Sequence, residues 1–226
     1  MKILTLDVGN TSVDACLFEG TLSYLGKFRH TDLPRVEADM VLVSSVRPSA
    51  NALVKEVYPE AKFIKAEHVP VRTAFEGKER VGVDRLLNLF GAVRLYGENV
   101  VVASLGTALV VDLAVDGVFQ GGFITLGIGS GLECLSQRAE LIPPLTFKRV
   151  HPDIGTDTES AILGGFIKQS MHFLRGCLSE WQELYGRSLR LVITGGDGWL
   201  FEEVGVYDPL LIHRAMLLLY SPLQTL

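Results

Sequence analysis

The chain has 226 residues, 48% of them apolar, a net charge of −5 and no run of lysine or arginine. That length supports one large domain or two small ones around a substantial core, and the charge argues against a nucleic-acid groove. No apolar segment is long enough to cross a bilayer, and three isolated cysteines (Cys16, Cys134 and Cys177) suit reduced, mostly buried thiols in a cytoplasmic protein better than a disulfide framework.

In chain order, Ile3 to Phe18 reads as strand, tight polar turn, strand, with a third strand near Leu22–Phe28. The apolar break at Asp7 is unlike a signal peptide. Met40–Val46 reads as another strand, residues 49–58 as a helix, and Phe63-Ile64 as a short strand. Residues 72–80 are polar and predict a loop. Leu86, Leu87, Leu89, Phe90, Val93 and Leu95 recur at helical spacing over 84–96. The pattern then restarts with strands at 100–103, 109–115 and 118–124, a Gly106-Thr107 turn, and an Asp116-Gly117 hairpin turn. Helices follow at 127–140 and 157–185, the second interrupted by Gly164-Gly165. A strand at 189–194 ends in Gly195-Gly196, and 209–220 reads as a last helix. Each half opens strand, turn, strand, turn, strand. This architectural repeat predicts two related α/β domains, at 1–98 and 99–226, with an interdomain cleft.

The segment 5–12, TLDVGNTS, is the most informative. A carboxylate at the end of an apolar strand is costly to bury unless a cation or hydrogen-bond donors meet it. The following turn, Gly9-Asn10-Thr11, offers backbone N–H groups and a hydroxyl at close range, which suits phosphate oxygens. An ordinary hairpin would use the same turn residues. Asp84 heads a helix, where negative charge is favoured, so it should stay ionised. It is either a helix-capping acid or a base able to accept a hydroxyl proton. Arg85 carries a planar donor fork suited to a carboxylate. Gly106 permits close backbone approach, and Thr107 can donate to a phosphate oxygen. The glycines at 121, 122, 127, 129, 131, 195 and 196 add further points of close approach. The five histidines lack the spacing of a zinc site.

Four motifs stand in order: DVGNT at 7–11, GVDR at 82–85, LGTA at 105–108 and TGG at 194–196. Over essentially the whole chain this series resembles the type III pantothenate kinases, a branch of the actin-like and sugar-kinase superfamily. The resemblance implies two ribonuclease-H-like domains, a homodimer, and ATP-dependent phosphorylation of pantothenate on the path to coenzyme A. It implies that Asp7 holds Mg²⁺ through water. Phosphates would meet Asp7, Val8, Gly9, Asn10, Thr11, Ser12, Val13, Asp14 and Thr107. Asp84 would be the base. Phe75, Gly82, Val83, Asp84, Arg85 and, from a partner subunit, Thr158 would line the pantothenate site.

The chain departs from the family pattern at several places. An acid that helps bind a monovalent cation, K⁺ or NH₄⁺, is replaced by Ser104, which predicts weak or absent potassium activation. Leu109 and Val110 replace two threonines. Phe75 stands for a tyrosine, Lys78 for a proline, and Leu126 for a proline in the glycine-rich turn. Those changes leave open a kinase for another small hydroxy acid. A non-catalytic relative that binds nucleotide or pantothenate is the alternative from another class, since the family has also been described as accessory factors for virulence gene expression. Asp84 discriminates the two, being dispensable for a binder and required for a kinase. An actin-like assembly module is disfavoured by the short chain.

Overall fold

A computed structural model describes residues 1–148 and 153–220 of the chain. It divides into two units, Met1–Leu95 with the C-terminal helix, and Tyr96–Pro209.

The first unit contains β1 (Ile3–Val8), β2 (Val13–Phe18), β3 (Leu22–Phe28), β4 (Met40–Ser45), α1 (Asn51–Val57), β5 (Lys62–Phe63), β6 (Arg72–Thr73) and α2 (Val83–Tyr96). Its main sheet has the order β3-β2-β1-β4-β5. The first three strands are antiparallel, and β4 and β5 run parallel to β1.

The second unit repeats that plan with β7 (Val100–Leu105), β8 (Ala108–Val115), β9 (Val118–Leu126), α3 (Ile128–Arg138), α4 (Thr158–Tyr185), β10 (Arg190–Thr194) and β11 (Val206–Tyr207). Its strands lie in the order β9-β8-β7-β10-β11, again with an antiparallel trio and two strands parallel to the first. Both units therefore share the ribonuclease-H-like arrangement, and the repeat read in the sequence is a repeat of topology. The Asp116-Gly117 turn has φ of 50° and 70°, the left-handed pair that a two-residue hairpin needs.

The alternation along β1 positions the chemistry. Leu4, Leu6 and Val8 enter one apolar cluster with Val43, Ala50 and Val54, on the α1 side. Side chains alternate across a strand, so Ile3, Thr5 and Asp7 share the opposite face. On that face α5 (Leu211–Tyr220) covers the sheet. Thr5 Oγ1 lies 2.8 Å from Nδ1 of the buried His213, and it donates to the Cys16 carbonyl at 3.3 Å. Helix α2 packs closely on α5, because a Cβ on Gly91 would sit 3.0 Å from the Ala215 Cβ.

Three sequence expectations need correction. The 99–226 boundary separates α5 from the unit on which it packs. Leu211, His213, Ala215 and Met216 are buried in the first unit, because the β1 face needs an apolar cover. Helix α4 runs through Gly164-Gly165 unbroken. Two glycines cost about 2 kcal/mol of helix propensity, and the burial of Leu163, Ile167 and Leu174 on either side outweighs that. The segment 72–80 holds β6 and a short 3₁₀ turn at Lys78–Arg80, entered through Gly77 with φ 89°. Of the three thiols, Cys16 and Cys177 are buried and Cys134 is exposed; burial pushes Cys16 up to about 12. No described helix is long and apolar enough to cross a membrane.

Burial holds His213 neutral and lowers its pKa to about 4. A base depressed in the folded state stabilises the fold fully above its unfolded pKa and loses that contribution as pH falls. Between pH 6.5 and 4, unfolding free energy should fall by about 3 kcal/mol from this group. Urea titrations across that range should flatten in His213→Asn. An unchanged slope would exclude His213 as the source.

Candidate active site

The antiparallel register of β1 and β2 pairs Asp7 with Asp14 and Val8 with Val13. The Gly9 N–H donates to the Ser12 carbonyl at 3.0 Å and closes the turn. Asn10 and Thr11 project at its tip, both exposed. Val8 and Val13 are buried, so they present only backbone. Asp14 is engaged, accepting from the Tyr24 hydroxyl at 2.6 Å and lying 3.7 Å from Lys27 Nζ.

Asp7 is half-buried at the end of a strand whose other residues are fully buried. Its pKa is pushed up to about 7, first by burial and then by the charge of Asp84. Asp14 adds to the rise and Lys27 opposes it. Across the parallel register, Ser44 faces Asp7. Its buried hydroxyl satisfies no hydrogen-bond geometry, yet it stands near enough to ease part of the carboxylate's cost.

Asp84 lies in the first turn of α2. Burial raises its pKa, while the backbone N–H and guanidinium of Arg85 pull it down. Desolvation therefore outweighs the helix N-terminus, on which the sequence expectation relied. Gly82 makes room for this carboxylate, since a Cβ there would sit 2.5 Å from Asp84 Oδ1. The Gly82 carbonyl accepts from the Arg85 and Leu86 N–H groups at 3.1 and 3.2 Å, so the glycine also nucleates the helix. Val83 is buried and contributes backbone alone. One turn along the same face, the buried Asn88 leaves its Oδ1 without a partner.

Phe75 follows β6, 36% exposed, with its carbonyl accepting from Thr73 Oγ1 at 2.8 Å. Lys78 donates to the Val69 carbonyl. This cation anchors the loop where the family pattern has proline.

In the second unit, three glycine-containing segments meet. The Gly127 N–H donates to the Thr107 carbonyl at 3.0 Å, and Ser130 Oγ donates to the same atom at 2.8 Å. A Cβ on Gly127 would strike the Gly106 carbonyl, and one on Gly195 (φ 88°) would lie 2.3 Å from the Leu105 carbonyl. Thr107 is exposed at this junction. Ser104, half-buried near the end of β7, pairs with Thr194 and Val110. Thr158 opens α4 and is exposed; Asp157 caps that helix by accepting from the Ser160 N–H at 2.9 Å.

The first unit thus gathers Asp7, Asp14, Asp84 and Arg85, and the second gathers Thr107 with its glycines. Among the described residues no cluster of three or more histidine, cysteine or acidic side chains could enclose a metal ion. A crowded carboxylate with a high pKa still fits a hydrated divalent cation shared with phosphate oxygens. The sequence did not point to Ser44, Asn88, His30 or Arg47. The last two sit where β3 and β4 exit, beside the turn between β1 and β2, a neighbourhood visible only once strand order is known.

The model of the type III pantothenate kinase family matches residues 3–180. A type III pantothenate kinase of Aquifex aeolicus is 42% identical over 223 residues, covering 96% of each chain. The chain belongs to the type III pantothenate kinase family. Its homologue in Hyphomonas neptunium, also a type III pantothenate kinase, is 28% identical and covers 95% of this chain and 97% of that one. A solved structure from Campylobacter jejuni, described as a conserved Baf family transcriptional activator, superposes with a TM-score of 0.65. It is 21% identical and covers 96% of both chains, which shows a shared fold. Membership makes this a chain of an ATP-dependent kinase family acting in coenzyme A biosynthesis.

Gly82→Ala tests how Asp84 is held. The added methyl must displace the carboxylate, while φ at this position suits alanine. Turnover should fall about 100-fold with the melting temperature nearly unchanged. Wild-type turnover in the variant would show that the close approach has no consequence.

Proposed function

We propose that this protein transfers the γ-phosphoryl group of ATP to the primary hydroxyl of pantothenate, giving 4′-phosphopantothenate. The observation that carries the reading is the pair Asp7 and Asp84, two half-buried acids both made costly to ionise by burial, with the charge of Asp84 adding to the cost at Asp7.

Asp84 takes the hydroxyl proton. Burial makes its carboxylate a stronger base than an exposed aspartate, and the Arg85 guanidinium and helix N–H groups keep it available in the charged form. Gly82 lets it fold back over the backbone. Arg85 receives the pantothenate carboxylate through its donor fork. Gly82, Val83 and Phe75 border the same substrate.

The turn at 9–12, with the flanking backbone of Val8, Val13 and Asp14, and the Thr107 hydroxyl hold phosphate oxygens. Asp7 holds Mg²⁺ through water. Mg²⁺, when bound, neutralises charge that develops on the phosphoryl oxygens. What remains for the protein is positioning and electrostatics, which suits a site with few reactive groups.

Thr158 reaches the site of a second copy in a homodimer. Exposed apolar side chains on β9 support this assembly: Ile124 and Leu126, on one face of the strand, and Phe123, on the other, are each more than half exposed. Phe123 stacks on Trp181 at 5.7 Å. A monomeric mass by light scattering would remove Thr158 from the site. Ser104 offers a neutral hydroxyl where a cation would need a carboxylate, so potassium contributes little. The protein works in the cytoplasm.

The test is ADP release from ATP and Mg²⁺ with and without pantothenate, with mass spectrometry of the product. ADP should form only with pantothenate, Asp84→Asn should lower kcat by at least about 100-fold, and potassium should match sodium at equal ionic strength. Nucleotide binding without product would favour the binder. Product from another hydroxy acid alone would reassign the substrate, and saturable potassium activation would restore the cation site.

A further inference from the structure

Behind the turn at 9–12 lies a cavity of ≈ 410 Å³ lined by Thr11, Arg29, His30, Thr31, Arg47 and Ser49, among others. Two of these residues grip the backbone of the turn. His30 Nε2 lies 2.9 Å from the Gly9 carbonyl oxygen. Arg47 Nη1 donates to the next carbonyl, that of Asn10. The same Nη1 stands 3.5 Å from His30 Nδ1.

These contacts fix the state of the histidine. A carbonyl can only accept, so His30 carries its proton on Nε2. Its Nδ1 is then a lone-pair acceptor that faces the Arg47 guanidinium. Arg47 is itself anchored. Its N–H donates to Ser45 Oγ at 3.3 Å, and its carbonyl accepts from Ala50 at 2.9 Å. Ser45 Oγ in turn donates to Asn51 Oδ1 at 2.6 Å, tying the β4 exit to α1.

The consequence follows from peptide geometry. In a trans peptide the C=O of one residue and the N–H of the next point in opposite directions, and the chain has no cis bond among its described residues. Turning the Gly9 carbonyl toward His30 turns the Asn10 N–H away from it. Turning the Asn10 carbonyl toward Arg47 does the same for the Thr11 N–H. The Gly9 N–H is already spent on Ser12. The Asn10 and Thr11 N–H groups take no acceptor among the described residues, which leaves two adjacent donors for an oxyanion.

We propose that His30 and Arg47 are positioning residues, a two-point clamp on consecutive carbonyls that aims the Asn10 and Thr11 amides at the ATP phosphates. The clamp rests on the kinase reading above for its ligand. Neither side chain needs to touch ATP. Their effect is on the direction of donors, which bind phosphate well only when preorganised.

The test uses the full-length protein and four variants: Arg47→Ala, Arg47→Lys, His30→Phe and His30→Gln. ATP affinity is measured by calorimetry with Mg²⁺, and KM is measured for ATP and pantothenate separately. Loss of either clamp should weaken ATP binding and raise KM for ATP about tenfold, with KM for pantothenate unchanged. His30→Gln keeps an amide donor in reach of the Gly9 carbonyl and should recover most of the loss, whereas His30→Phe should not. Arg47→Lys keeps one donor and should fall between wild type and Arg47→Ala. Equal ATP affinity in Arg47→Ala, His30→Phe and wild type would overturn the clamp while leaving the kinase intact. Matched losses for ATP and pantothenate would also overturn it, as would losses that His30→Gln does not recover. A wild type that binds ATP without phosphorylating pantothenate, with binding weakened in the variants, would sink the kinase reading and keep the clamp.

Discussion

Two carboxylates held in a poorly solvated corner set the terms for the rest of the first unit. Asp7 ends a buried strand, and Asp84 begins a helix laid on the same face. Burial makes both harder to ionise, the charge of Asp84 adds to the cost at Asp7, and the available cations, Lys27 and Arg85, relieve only part of it. A group raised in this way stabilises the fold at low pH and loses that contribution as pH rises through about 7. Natural folds keep such an arrangement where a ligand completes it. A cation and a phosphate would complete it here, and an alcohol would find a base beside them.

The scaffold around the acids answers to that constraint. The period of two along β1 sends Leu4, Leu6 and Val8 into one apolar layer and leaves Thr5 and Asp7 on the other face. Helix α5 covers Thr5 through His213, and α2 nests on α5 through the small residue Gly91. The chain therefore returns from its far end to help build the face on which its first acid sits. Gly82 shows the same economy at atomic scale, where a single absent methyl lets Asp84 lie over the backbone.

Much of this was legible in the sequence because it rests on local signals. The apolar alternation gave the strands, Asp116-Gly117 gave a left-handed hairpin turn, and Gly82 to Arg85 marked the helix start. The motifs DVGNT and GVDR identified the two acids. What escaped was non-local. Nothing in residues 209–220 says which sheet they cover, because an apolar helix fits either. Ser44, His30 and Arg47 are ordinary residues at strand ends until the order β3-β2-β1-β4 brings those ends beside the turn at 9–12. The helix N-terminus alone predicts an ionised Asp84, and burial is a tertiary quantity that a sequence window does not contain. The continuity of α4 across two glycines belongs to the same class, since packing of residues many positions apart decided it.

Asp7 and Asp84 share one electrostatic environment, and titration of the Asp7 carboxyl by carbon-detected NMR, in wild type and in Asp84→Asn, tests whether they do. An apparent pKa near 7 in wild type, falling when Asp84 loses its charge and falling further with Mg²⁺ and nucleotide, is the predicted result. An ordinary aspartate value in wild type, unmoved by Asp84→Asn, would contradict it.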